Sequence, residues 1–188
     1  MIGLIIVGAI CAVLYFQYVA LIKRRNSAQE ALAGVDTQLQ MRHDLLPNVL
    51  TIAKKYMEHE RDLILGVTEL RARAGASYDK SSPTAVSEHF NLASQLASQM
   101  GKLQVSMEAY PNLKADTQMT DAMRSYNEVE SRISAARRAY NASVTALNNA
   151  VQIFPGSIIA SMIAIKPLPF FAADEASKAP VNAAEYLN

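Results

Sequence analysis

From Ile2 to Ile22 the chain carries no Asp, Glu, Lys, Arg or His, and Lys23, Arg24 and Arg25 follow at once. Only Gly3, Gly8 and Gln17 interrupt the apolar run. As a helix, it would span about 31 Å, the thickness of a bilayer's hydrocarbon core. A core helix of a soluble protein would be shorter and less cleanly bounded. A cleaved signal peptide would place its positive charges before the apolar run, where only Met1 stands. Cys11 does not make a lipoprotein site, because the large Ile10 precedes it. Tyr15, Phe16 and Tyr18 suit an interfacial aromatic belt. Residues 1–22 are therefore expected to be a single-pass membrane anchor. The basic triplet puts the N-terminus outside and the rest of the chain in the cytoplasm.

Beyond the anchor the apolar period is helical. Positions 28, 32, 35, 39, 42, 46, 49, 53, 56, 60, 63, 67 and 70 are apolar except at Arg42 and Glu60, a coiled-coil-like seam. The seam keeps its phase across Pro47, so the proline is expected to kink a continuous helix rather than end it. That reading gives one rod from the anchor to about Arg73, about 105 Å long. The stretch Gly75–Pro83 reads as a loop, with Ser82 as an N-cap and Pro83 at the first helical position. Val86, Phe90, Ala93, Ala97, Met100, Leu103 and Met107 give the next apolar face, which Pro111 ends. A further seam runs from Met119 to Phe154, interrupted by Glu130 and Arg137, and stops at Pro155-Gly156. A short apolar helix over Ser157–Ile165 follows, and then an extended tail with Pro167, Pro169 and Pro180. The expected fold is all-α: an N-terminal transmembrane helix continuing into an antiparallel helical bundle over 23–165, with a tail over 166–188.

The 18 Lys and Arg against 17 Asp and Glu leave no cationic surplus for nucleic acid. One cysteine excludes a disulfide framework or a cysteine zinc site. His43 and His59 fall on nearly opposite sides of one helix, no HExxH occurs, and no phosphate loop or GxSxG elbow is present. No catalytic, cofactor-binding or metal-binding residue is assigned, and the chain is read as non-enzymatic. Asp44, Pro47, Asn48, Tyr56, His59 and Glu60 are assigned to packing, capping and pairing. Of the seam charges, either Arg42–Glu130 or Glu60–Arg137 could pair across antiparallel helices, not both; snorkelling at the seam edge is the other reading.

The blocks Val35–Leu50 (VDTQLQMRHDLLPNVL), Tyr56–Glu60, Ala109–Ala115, Ile133–Asn141, Phe154-Pro155, Lys166-Pro167 and Phe170-Phe171 together resemble the LemA family of bacterial membrane proteins. The first is similar to its core signature, the second to its next segment and the rest to later blocks. Met41, Lys55 and Met119 depart from the family's usual residues. The resemblance implies a helical bundle anchored in a bacterial inner (cytoplasmic) membrane, without an established reaction. A magnetosome-associated branch implies a role in organising membrane compartments.

Two functions compete on this basis. One is a scaffold that self-associates and organises or shapes the membrane. The other is a sensor or adaptor that binds a small ligand or client peptide. Ser157–Ile165 is apolar on almost every side, so Ile158, Ile159, Met162, Ile163, Phe170 and Phe171 are expected to meet lipid or a second copy in a homo-oligomer. An unknown protein partner remains compatible with the same surface.

Overall fold

The computed structural model describes residues 1–172; the end of the expected tail, 173–188 with Pro180, lies outside the described residues. Helices α1 (Ile2–Tyr56), α2 (Arg61–Ala74), α3 (Pro83–Met107), α4 (Pro111–Lys114), α5 (Thr117–Gln152) and α6 (Gly156–Met162) follow one another, with no strand among the described residues. Helix α1 has two halves with different surroundings. Its N-terminal half, where an 18-residue window has mean hydropathy 2.4, is long and apolar enough to cross a membrane. There Ile2, Leu4, Ile5, Val7, Val13 and Phe16 stand exposed. From Leu21 onward one side of the same helix is buried, and positions 28, 32, 35, 39, 42, 46, 49 and 53 all lie in the interior.

The helix passes through Pro47 unbroken, as its seam predicts. The expected rod to Arg73 does not form, however. Helix α1 stops at Tyr56, a 3-10 turn occupies Glu58–Glu60, and α2 returns antiparallel along α1. The reversal is fixed by Arg71, whose Nε donates to the His43 carbonyl at 2.9 Å. That carbonyl would accept the amide of residue 47 in a regular helix, and proline has no amide to give. Pro47 thus frees an acceptor on α1, and the returning α2 supplies the donor. Gly75 completes the fit, because a Cβ there would stand 2.5 Å from His43 Nε2.

Helix α3 begins as predicted, with the Ser82 hydroxyl accepting from the Ala85 amide and Pro83 in the first turn. It then runs parallel to α1. Its buried face takes Leu96 where Ala97 was expected. It ends at Met107, and Pro111 opens the single turn of α4 rather than closing α3. Helix α5 runs antiparallel to α1 along its whole length. Tyr56 meets Asp116 at one end, and fourteen residues further along each helix Arg42 meets Glu130. The result is an up-down-up-down bundle of α1, α2, α3 and α5, the antiparallel arrangement that short connections favour.

Candidate functional site

At the waist of the bundle, Arg42 on α1 is 3% exposed and binds the two other long helices at once. Its Nη1 donates to Glu130 Oε1 on α5 at 3.2 Å, and its Nη2 donates to the Ala93 carbonyl on α3 at 3.0 Å. Of the two pairings open in the sequence, this is the one that forms. Glu60 sits at the 3-10 turn, and Arg137 instead lies 6.0 Å from the Phe171 ring centroid. Burial beside Glu130 raises the Tyr126 phenol above its usual pKa, burial being the larger cause.

One turn and a half below Arg42, Asp36 gathers a second set of polar groups that the sequence reading passed over. Tyr78 Oη donates to Asp36 Oδ1 at 2.8 Å, Lys80 Nζ reaches Oδ2 at 2.5 Å, and His89 Nε2 stands 3.7 Å away. Tyr78 and His89 stack with centroids 4.1 Å apart. Burial lowers the His89 pKa below its ordinary value; Arg42 and Lys80 push the same way, and Asp36 opposes them. Burial first, then the hydrogen bond to Asp36, raises the Tyr78 phenol. A cleft of about 320 Å³, open to solvent, touches Asp36, His43, Tyr78 and His89. No motif in the sequence joins these residues, because the loop over 75–82 and α3 meet Asp36 only after the hairpin has formed.

The other motif residues stand apart from this cluster. Tyr56 donates to Asp116 Oδ2 at 2.9 Å, while Asp116 Oδ1 caps α5 by accepting from the Gln118 and Met119 amides. The hydrogen bond from Tyr56 is the main cause holding the Asp116 carboxyl below its usual range. Asp44 accepts from Gln40 Nε2 at 2.8 Å on an exposed face. Asn48 borders a shallow hollow with Gln118 and Asp121, and His59 is exposed on the 3-10 turn. Asp44 and His59 are not brought into a common pocket. Among the described residues no group of three or more His, Cys, Asp or Glu could hold a metal ion.

The opposite end of the bundle carries the apolar corner. Helix α6 spans Gly156–Met162, shorter than the expected Ser157–Ile165. Its stop is a left-handed residue, Ala164 (φ 55°), with the Ile165 amide bonded back to the Ala160 carbonyl at 3.0 Å. Two of the six expected outward contacts are internal. Ile159 packs in a core with Leu21, Ala28, Leu147, Ala150 and Ala160. Phe171 is 4% exposed and stacks on Phe90 at 4.2 Å. Ile158, Met162, Ile163 and Phe170 remain exposed.

The described part of the tail lies along its own bundle. Asn148 and Asn141 each make a two-way amide clasp, to the backbone of Leu168 and of Phe171 respectively, at 2.9–3.0 Å. Seven residues of helix and three of extended chain both advance about 10 Å, which is why these spacings match. The Tyr140 hydroxyl adds a bond to the Pro169 carbonyl.

The LemA family model matches residues 31–183. The chain belongs to the LemA family. A search of curated proteins found no match. The LemA region takes in the Arg42–Glu130 pair, the hairpin at Tyr56–Glu60 and the asparagine clasps. It starts after the exposed apolar half of α1.

Proposed function

We propose that this LemA-family protein is a non-enzymatic membrane-anchored scaffold that self-associates and organises or shapes a bacterial inner membrane. Its N-terminus lies outside and its bundle in the cytoplasm. One observation carries the reading: the apolar half of α1 and the central helix of the bundle are a single element, with no loop between them. A sensor head on a flexible tether would need a joint, whereas a scaffold needs the bundle held at a fixed place relative to the bilayer. Self-association is assigned to the lateral faces of the exposed apolar half, since Ile159 and Phe171 are taken up internally. The test is the mass of the full-length protein in nanodiscs. More than one copy per disc is expected; a strictly monomeric protein at all loadings overturns self-association.

The Asp36 cleft supports a second reading. Its convergent Tyr78, Lys80 and His89 suit a small polar ligand, as an adaptor would require. A monomer in nanodiscs would favour it.

A further inference from the structure

We infer that the corner joining α5 to α6 is a second membrane contact, lying in the interfacial layer at the end of the α1 span. The inference rests on reading residues 2–22 as a span, and it names a lipid surface as the occupant of the corner. Packing sets the height of the corner. Leu21, the first buried residue of α1, shares its core with Leu147, Ala150, Ile159 and Ala160. The corner thus stands beside the point where α1 changes from exposed to covered.

The corner turns several large apolar side chains outward, beside the uncharged Gln152 and Ser161. Phe154 is 75% and Met162 79% exposed, and Ile153 and Ile158 are exposed beside them. From Ala139 to Ile165 there is no Asp, Glu, Lys, Arg or His, although the water-facing parts of α5 nearer the turn at Tyr56 carry both signs freely. A helix end that faced water had no reason to shed every charge over so long a stretch. One that faces acyl chains did, because each exposed charge there would be costly.

Cations frame this patch. Lys23, Arg24 and Arg25 follow the span, and Lys166 follows α6. Arg25 and Lys166 line one cleft of about 380 Å³, so they share a level. Among the described residues none of these four meets a carboxylate. Anionic headgroups complement such a rim.

The backbone also suits a region poor in water. The Ile163 and Ile165 amides are bonded to the Ile159 and Ala160 carbonyls, so the end of α6 leaves few orphans. Seven residues, about 10 Å long, are far too short to cross a bilayer and fit an in-plane position. A second copy could cover the same side chains, but it would not explain why the patch continues the apolar surface of α1 and is rimmed by cations.

Site-directed spin labels in the full-length protein decide the matter. Ile158→Cys and Met162→Cys are labelled in a Cys11→Ser background, in nanodiscs of phosphatidylcholine with phosphatidylglycerol. Val7→Cys serves as the span reference and Val105→Cys, exposed on α3, as the water reference. The expected result is a ratio of oxygen to nickel-chelate accessibility several-fold higher at 158 and 162 than at 105, approaching that at 7. Aqueous values at 158 and 162 with a lipid value at 7 overturn the corner and leave the span intact. An aqueous value at 7 overturns both. Shielding from both reagents with spin–spin broadening assigns the corner to a second copy and overturns the lipid contact. If either variant fails to match the parent's thermal melt, Ile153→Cys gives the same readout.

Discussion

The two partners of the waist ion pair stand in different surroundings, and this asymmetry governs what each contributes. Arg42 is buried, whereas the Glu130 side chain keeps 29% exposure and can turn to water. Removing Glu130 strands a guanidinium in the interior, with only the Ala93 carbonyl left to it. Removing Arg42 strands nothing. Glu130→Ala is therefore expected to destabilise the bundle by about 3–5 kcal/mol, the range for a broken buried pair. Arg42→Met, which keeps most of the volume, should cost well under half of that. Denaturant melts of both variants check it; equal losses would show that the guanidinium's packing, not its charge, matters. That Arg42 and Glu130 would meet was one of two possibilities legible in the sequence. The Asp36 cluster was not legible, because His89 and Tyr78 reach Asp36 only through a chain reversal that leaves no mark on local spacing.

The elements show why some boundaries can be read and others not. Heptad phase locates the buried side of α1 from Ala28 to Ala53 because a buried side chain must recur every three or four residues. The same phase hid the hairpin after Tyr56. Leu63, Val67 and Leu70 continue the count, and neither glycine nor proline punctuates Met57–Glu60. A reversal of direction does not disturb an apolar period when both arms bury against the same core. The Pro155-Gly156 stop was readable, and the structure supplies its reason. A Cβ on Gly156 would stand 2.3 Å from the Ala150 carbonyl oxygen, a backbone atom that cannot swing aside. Gly156→Ala should therefore force α6 away from α5, with a loss of about 1–3 kcal/mol typical of overpacking. Faster amide exchange across Gly156–Met162, with α3 unchanged, is the expected signature. Unchanged exchange would mean that α6 shifts without cost.

For the whole molecule, the proposed orientation rests on the basic triplet after Ile22. A reporter fused after Asn188 should be active only in its cytoplasmic form. Exchanging Lys23, Arg24 and Arg25 for glutamine should weaken that preference, because the charge bias that favours the cytoplasmic side is removed. Activity confined to a periplasmic reporter in the parent chain would reverse the orientation. The all-α bundle with its long apolar N-terminal helix was legible as a class, since composition and period both demand it. Which way α2 runs, and where the tail lies, depended on single long-range bonds such as Arg71 to His43 and Asn141 to Phe171.

With its apolar half in a bilayer as proposed, helix α1 would also behave as a lever. From Leu21 to Tyr56 it runs about 52 Å without a joint, at 1.5 Å per residue. A tilt of about 20°, ordinary for a helix in a bilayer, swings its far end sideways by about 18 Å. A change in bilayer thickness that alters the tilt by a few degrees would then be converted into displacement at the hairpin, where Tyr56 holds Asp116. The distal tip would be the pointer of a gauge whose pivot lies at the membrane surface.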